Sequence, residues 1–195
     1  MNALLVVAAV VGAALVGALA VGYRRGNTPA VVNTAAVLCL TLLPPAAGWL
    51  FGDGPATAGL PSLTFATAVA GFLHALGMLG RYESVGWWDH LTHTISAALL
   101  AALLYAGLLV LAPSIAAAGA LLGTLALGVL WEVGELIARE VAERYDIEPV
   151  LVHYGRRDTA LDLVFDAVGA GLVVVLDLRL FHPVAEWAVR ASGIA

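Results

Sequence analysis

Residues Asn2 to Tyr23 read NALLVVAAVVGAALVGALAVGY, a long apolar stretch without a single charged side chain. A helix that crosses a bilayer needs about 20 consecutive, mostly apolar residues. No basic residue precedes this stretch, and it is longer than the apolar region of a cleaved leader, so we interpret it as a helix of the mature protein. It predicts a membrane-spanning helix and sets the fold class.

The rest of the chain has the same character. Of its 195 residues, 62% are hydrophobic and 12% are charged, and the mean hydropathy is +0.95. Soluble domains average about 45–50% apolar and about 25% charged residues. The composition therefore argues against a soluble globular domain and excludes a disordered chain, a collagen-like repeat and a disulfide scaffold. The formal net charge of −5 argues against a nucleic-acid partner, which requires a basic face.

Six stretches of this kind predict an all-α integral membrane bundle with six transmembrane helices, in a single polytopic domain covering 1–195. Pro44 and Pro45 predict a kink or break in the second span, and Pro113 opens the fifth. A short tail with Trp187 and Arg190 is expected along the membrane interface. The predicted spans are approximately 2–23, 29–51, 62–80, 88–112, 114–138 and 159–181.

The arginines predict the orientation, because cytoplasmic loops of membrane proteins carry an excess of basic residues. All nine basic residues are arginines. With the N-terminus outside, only Arg179 and Arg190 lie on the outer side. We therefore predict a multi-pass plasma-membrane protein with both termini outside and the long connection 139–158 in the cytoplasm. The inner arginines are then Arg24, Arg25, Arg81, Arg139, Arg144, Arg156 and Arg157.

Ionisable residues inside the predicted spans are unusual, because each costs on the order of 3 kcal/mol on insertion scales. They fall on four spans, and the predicted topology places them at similar depth near the cytoplasmic face. We therefore predict that they form one shared site. The residues are His74 on the third span, Asp89 and His93 on the fourth, Glu132 and Glu135 on the fifth, and Asp162 and Asp166 on the sixth.

The spacing within each span supports this interpretation. Residues three or four apart share one face of a helix, as the Asp89–His93 and Glu132–Glu135 pairs do. Gly169 continues the acidic stripe of the sixth span and is expected to let another helix approach closely. Some of these residues and their neighbours could instead have purely structural roles. Asp89 and Asp158 could cap their helices, and His90 could extend to the lipid headgroups.

Histidine nitrogens and carboxylate oxygens on facing helices suit a divalent metal ion such as Zn, Mn or Fe, or Mg if mainly carboxylates bind. Such an ion can activate water or polarise a phosphoryl oxygen. The leading hypothesis is a metal-dependent enzyme acting on a membrane lipid or lipid-linked headgroup. Asp166 is the candidate catalytic base or extra ligand, and Arg157 the candidate phosphate anchor. The candidate metal ligands are His74, Asp89, His93, Glu132, Glu135 and Asp162.

Two other function classes remain open. The acids and histidines could relay protons or bind a cation in a proton- or cation-coupled transporter. Alternatively, Arg156 and Arg157 could pair with the acids in a non-catalytic membrane scaffold. The sequence has no convincing inverted repeat, which disfavours the commonest transporter folds.

Part of the sequence resembles known membrane protein families. The stretch from Glu132-x-x-Glu135 to Arg157-Asp158-Thr159-x-x-Asp162-x-x-x-Asp166-x-x-Gly169-Ala170 resembles the end of VanZ-like proteins, with Asp166 where that family usually has Asn. The Asp89-His90-x-x-His93 start of the fourth span resembles the Asp-x-x-x-His signature of the same family.

The similarity to YjdF-like inner-membrane proteins is closer, and it covers roughly residues 72–171. It rests on His74, Asp89, His93, Glu132, Glu135, Asp158, Thr159 and Asp162. VanZ-like proteins are associated with resistance to teicoplanin-type glycopeptides, and the YjdF-like resemblance implies no defined activity. The two resemblances together imply the architecture and the site positions rather than a reaction.

Overall fold

The computed structural model describes residues 2–152 and 154–193, and in that part of the chain the regular structure is entirely helical. This confirms the all-α prediction. Short helical turns at Thr57–Gly59, Gly77–Arg81, Tyr82–Ser84 and Pro113–Ile115 lie between the longer helices. The longer helices are α1 (Ala3–Arg25), α2 (Thr28–Phe51), α3 (Leu60–Leu76), α4 (Trp88–Leu111), α5 (Ala116–Tyr145), α6 (Arg156–Val175) and α7 (His182–Ser192).

Five helical segments of the described chain are long and apolar enough to cross a membrane. The sixth predicted span falls on α6, which has 20 residues and at 1.5 Å per residue is about 30 Å long. Asp158, Asp162 and Asp166 interrupt its apolar character, so six spans remain a prediction. The five segments are Ala3–Arg25, Thr28–Phe51, Thr57–Ser84, Trp88–Leu111 and Pro113–Tyr145.

The second span does not break at its prolines. Helix α2 continues through Pro44 and Pro45 as far as Phe51, so the alternative of a break is wrong. A proline removes one backbone hydrogen bond from a helix. A full break inside lipid would leave several backbone groups without partners, which costs more.

Two other helix ends differ from the predicted bounds. Helix α5 continues past Ala138 to Tyr145, and in this extension the Arg139 side chain forms an ion pair with Glu143 one turn later. Helix α6 ends at Val175 rather than near Phe181. It ends there because Asp177 adopts a left-handed backbone conformation, with φ of 48°, that cannot continue a right-handed helix.

The aspartates near the starts of α4 and α6 are not N-caps. Trp87 and Gly155 occupy those positions, and neither makes a side-chain capping hydrogen bond. Asp89 and Asp158 lie in the first turns instead. A negative charge is favoured there by the helix dipole, which partly offsets the cost of placing these carboxylates at the bundle end.

The helices form two groups. Helices α1, α2 and α3 pack together around a small core that contains Leu15 and Ala75. Helices α4, α5, α6 and α7 surround a larger core, in which α4 and α6 have the most extensive contact. Helix α3 joins the two groups by packing on α4, and Leu60 at its start belongs to the larger core.

The arginine-rich end of the bundle, defined by the seven predicted inner arginines, is fastened by side-chain hydrogen bonds. Asn27 Nδ2 donates to Met78 O at 3.0 Å. Asn33 Nδ2 donates to Val150 O at 2.8 Å. Glu148 Oε2 accepts from Thr28 N at 3.0 Å. The connection between α5 and α6 is therefore tied to the start of α2.

Close packing between α4 and α6 depends on Gly169. A methyl group at this position would collide with the carbonyl oxygen of Thr94 and would lie 3.0 Å from the backbone nitrogen of Ala98. The backbones of α4 and α6 therefore lie in close contact here, which confirms the close helix approach predicted at Gly169. The contact brings the aspartates of α6 beside the histidine face of α4.

We predict that Gly169→Ala destabilises the protein, because the added methyl group forces α4 and α6 apart. Overpacking of this kind typically costs about 1–3 kcal/mol. Gly171→Ala is the matched control on the same helix, since a Cβ there has no neighbour within 4 Å. Thermal unfolding in detergent should show a lower Tm for Gly169→Ala only, and equal Tm values for the two variants would contradict the close approach.

Candidate functional site

A cavity of about 680 Å³ lies between the two helix groups. Ligand sites for small molecules typically have volumes of about 300–1,000 Å³. Most of the wall is apolar and includes Val37, Ala70, Leu99 and Leu127. One end is polar and lies towards the arginine-rich end. Its ionisable residues are His74, Tyr82, Asp89, His93, Glu135, Tyr154, Asp158, Asp162 and Asp166.

Three of these residues, Asp89, His93 and Asp162, form a compact group that could hold a metal ion, and we call this group the metal triad. One ligand atom from each lies within 4.8 Å of the other two. His93 Nε2 is 3.8 Å from Asp89 Oδ1 and 3.8 Å from Asp162 Oδ1. Two atoms that each lie about 2.0–2.2 Å from one ion are at most about 4.4 Å apart. The histidine–carboxylate separations therefore suit a shared divalent ion.

Asp166 contacts the other nitrogen of the same imidazole ring. His93 Nδ1 lies 3.1 Å from Asp166 Oδ1, which leaves Nε2 facing the other two carboxylates. A metal-binding histidine commonly donates its second N–H to a carboxylate that fixes the ring orientation. Asp166 has this orienting geometry, and its second oxygen packs so closely on Gly128 that a methyl group there would collide with it.

Two buried carboxylate oxygens have no hydrogen-bond partner among the described residues. They are Asp162 Oδ1 and Glu132 Oε2, on side chains from residues that are 2% and 4% exposed. Buried polar groups are nearly always hydrogen-bonded in folded proteins. Asp162 Oδ1 has only the longer 3.8 Å contact with His93 Nε2, so buried oxygens of this kind favour a bound cation or a proton.

The remaining predicted ligands take different positions. Glu135 lines the cavity outside the metal triad and accepts a hydrogen bond from Trp131 Nε1 at 3.0 Å. Glu132, one turn earlier, is buried but is not among the residues that line the cavity. Arg157 is exposed and is also absent from the described lining.

His74 lines the cavity but bonds to a residue that the sequence analysis missed. Its Nδ1 lies 2.7 Å from the hydroxyl oxygen of Tyr82, which is also 3.3 Å from Thr92 Oγ1. The Gly77–Arg81 turn folds the Tyr82 ring back over the helix, and a Cβ at Gly77 would collide with that ring. Gly80, with φ of 115°, permits the bend. The Gly77-x-x-Gly80 spacing was the available signal in the sequence.

A second tyrosine, Tyr154 from the α5–α6 connection, also lines this side of the cavity. The rings of Tyr154 and Tyr82 meet edge to face, with centroids 6.4 Å apart. The Tyr154 hydroxyl donates to Glu83 Oε1 at 2.9 Å. Partial burial and this hydrogen bond raise the pKa of Tyr154 above its usual range, so its hydroxyl stays protonated at neutral pH.

His90 packs between helices. Its ring stacks on Phe165 of α6, with centroids 4.3 Å apart and planes inclined by 11°. Its Nδ1 is buried without a hydrogen-bond partner in the described chain. The alternative that His90 extends towards lipid headgroups therefore does not hold for its ring. The ring of His90 is therefore part of the contact between α4 and α6.

Comparison with protein families gives a match over residues 3–182, which includes every residue of the metal triad. The chain belongs to the family described as "Predicted membrane protein (DUF2238)". This membership agrees with the apolar helices described above. Comparisons with curated proteins and with solved structures gave no significant match.

We predict that Tyr82→Phe lowers the free energy of unfolding by about 1–3 kcal/mol, because it leaves His74 Nδ1 buried without its partner. Tyr23→Phe is the control, since the Tyr23 side chain is largely exposed. Unfolding of both variants would be followed by circular dichroism in detergent. A Tyr82→Phe variant as stable as Tyr23→Phe would exclude a stabilising His74–Tyr82 hydrogen bond.

Proposed function

We propose that this protein is a divalent-metal-dependent membrane enzyme that acts on the headgroup of a lipid or lipid-linked substrate. The observation that carries the proposal is the position of the metal triad at the polar end of a largely apolar cavity. A lipid needs both environments at once, one for its headgroup and one for its hydrocarbon chain. The cavity volume is also within the range of ligand sites.

The charges of the cavity support a bound cation. Its described lining holds five carboxylates and no arginine. A phosphate-containing headgroup would be repelled by these acids unless a metal ion lay between them. Such an ion would also polarise a phosphoryl oxygen or activate a water molecule. Because Arg157 is exposed outside the lining, the ion is a more direct phosphate anchor than Arg157.

The residues divide into distinct roles in this proposal. Asp89, His93 and Asp162 hold the ion, and Asp166 orients the imidazole through His93 Nδ1. Because Asp166 is engaged with His93 Nδ1, the general-base role predicted for Asp166 passes in this proposal to Glu135, which lines the cavity outside the metal triad. One nitrogen and two carboxylate oxygens suit Zn, Mn or Fe, and Mg remains compatible with the carboxylates.

The extent of the cavity favours lipid chemistry over transport. Its described lining comes from residues 33–40, 67–82, 89–100, 124–135 and 152–166. These segments extend from the arginine-rich end to about the middle of the helices, with no lining residue from the opposite end. A non-catalytic scaffold is disfavoured for another reason. Buried carboxylate oxygens without hydrogen bonds cost stability and add nothing to a purely structural role.

The arrangement in the membrane is also part of the proposal. Helix α6 crosses as a sixth span with its aspartates turned into the bundle, and the arginine-rich end faces the cytoplasm of a plasma-membrane protein, with both termini outside. A family relationship to VanZ-like and YjdF-like proteins is also proposed, and the motif residues described in the sequence analysis support it.

We predict that the purified protein holds a near-stoichiometric divalent metal ion, measured by inductively coupled plasma mass spectrometry. Asp162→Asn and Asp89→Asn should lose the ion, because each replaces a charged carboxylate ligand with a neutral amide of similar size. Glu143→Gln is the matched control, since that carboxylate is exposed and paired with Arg139 on the surface. The proposal would be excluded if the wild-type protein is purified without metal and also fails to bind each candidate metal when it is added.

Stability measurements separate loss of the ion from loss of the fold. In the chelator-treated protein, Asp162→Asn should unfold at a higher temperature than the wild type, because the substitution removes one of three carboxylates that crowd the single His93 ring and repel one another. Added metal should raise the Tm of the wild type and leave that of Asp162→Asn unchanged. A variant that is unstable with and without metal would instead indicate a structural role for Asp162.

Labelling with a membrane-impermeant thiol reagent tests the predicted orientation of the bundle in the membrane. In a Cys39→Ser background, Ser84→Cys and Ser192→Cys place single thiols at exposed positions on opposite ends of the bundle. In intact cells only Ser192→Cys should react, and Ser84→Cys should react after the membrane is opened. The reverse pattern would mean that the arginine-rich end faces outwards.

A further inference from the structure

The cavity has an open side between α2 and α5. Helix α2 packs on α1 and α3, and helix α5 packs on α4 and α6, but no extended contact joins α2 to α5 in the described chain. Both helices nevertheless supply lining residues to the same cavity. The cavity wall is therefore continuous where α3 packs on α4, and it is interrupted on the opposite side, between α2 and α5.

Apolar lining residues are exposed along this opening. Leu40 on α2 is 52% exposed, and Leu130 on α5 is 63% exposed. Leu127 and Trp131 lie beside Leu130 and are also exposed. Residues that line a cavity and also lie on the outer surface mark the position where the cavity meets its surroundings.

The opening lies between two helices that are long and apolar enough to cross a membrane. Leu40, Leu127 and Leu130 belong to segments long and apolar enough to cross the bilayer. Inside a bilayer the surrounding molecules are the hydrocarbon chains of lipids. Along α5 the lining extends from Thr124 to Glu135, which is about 16 Å of helix axis and ends beside the carboxylates.

We infer that the opening between α2 and α5 is a lateral portal through which one acyl chain of a membrane phospholipid reaches the cavity. The chain occupies the apolar part, lined by residues such as Ala70, Ala97 and Thr124. The headgroup then lies at the polar end beside the metal triad. This inference rests on the proposed function for the role of the headgroup, whereas occupation by the chain depends only on the cavity and its opening.

Photolabelling from within the bilayer tests the portal. The protein is reconstituted in phosphatidylcholine nanodiscs that contain a phosphatidylcholine with a diazirine at the end of one acyl chain, and labelled residues are mapped by mass spectrometry. Lipid on the outer surface labels exposed side chains only. A chain inside the cavity labels Ala70, Ala97 or Thr124, which are buried from the outside.

Two tryptophan variants locate the route. Ala36→Trp places a large ring at an exposed lining position of α2, so interior labelling should fall by at least a factor of about five, a ratio that corresponds to roughly 1 kcal/mol. Ala126→Trp is the control, because Ala126 is exposed on α5 but does not line the cavity. It should leave interior labelling unchanged.

The outcomes separate this inference from the proposed function. Absence of interior labelling in the wild type would overturn the portal, and so would equal interior labelling in Ala36→Trp and the wild type. Metal content of the same samples is measured independently. Interior labelling of a protein that holds no metal would support the portal and reject the metal-dependent enzyme. Bound metal without interior labelling would support the enzyme and reject the portal.

Discussion

The site depends on the close contact between α4 and α6 at Gly169. Because no side chain separates the backbones there, His93 reaches Asp162 through one ring nitrogen and Asp166 through the other. His90 stacks on Phe165 in the same interface. Small residues commonly serve this purpose between membrane helices, where packing replaces the hydrophobic effect as the cause of association. Here the same packing brings ionisable groups from two helices together.

The cost of those groups explains where they lie. Charged side chains are expensive inside a bilayer, and in this chain they face the cavity or the interior of the bundle rather than the lipid. His93 is surrounded by three carboxylates from two helices, while two carboxylate oxygens nearby have no hydrogen-bond partner in the described chain. The acids outnumber the histidines, so the arrangement favours a bound cation over a self-contained ion-pair network.

Much of this architecture follows from sequence periodicity, and the exceptions have physical causes. The apolar stretches predict the helices, and the spacing of Asp89 and His93 predicts their common face. Glu132 and Glu135 show the limit of spacing, since residues three apart differ by about 60° around the helix and only Glu135 reaches the cavity. Tyr82 was missed because its position depends on the Gly77–Arg81 turn, where the helical period changes.

The hydrogen bonds at the arginine-rich end have a mechanical consequence for the cavity. Asn33 and Thr28 tie α2 to the α5–α6 connection at one end, and Leu60 joins the two helix groups near the other. The space between the groups is thus a slot fixed at both ends, which can widen only by bowing of its long sides. Pro44 and Pro45 remove backbone hydrogen bonds from α2. That helix is consequently the more compliant side of the slot.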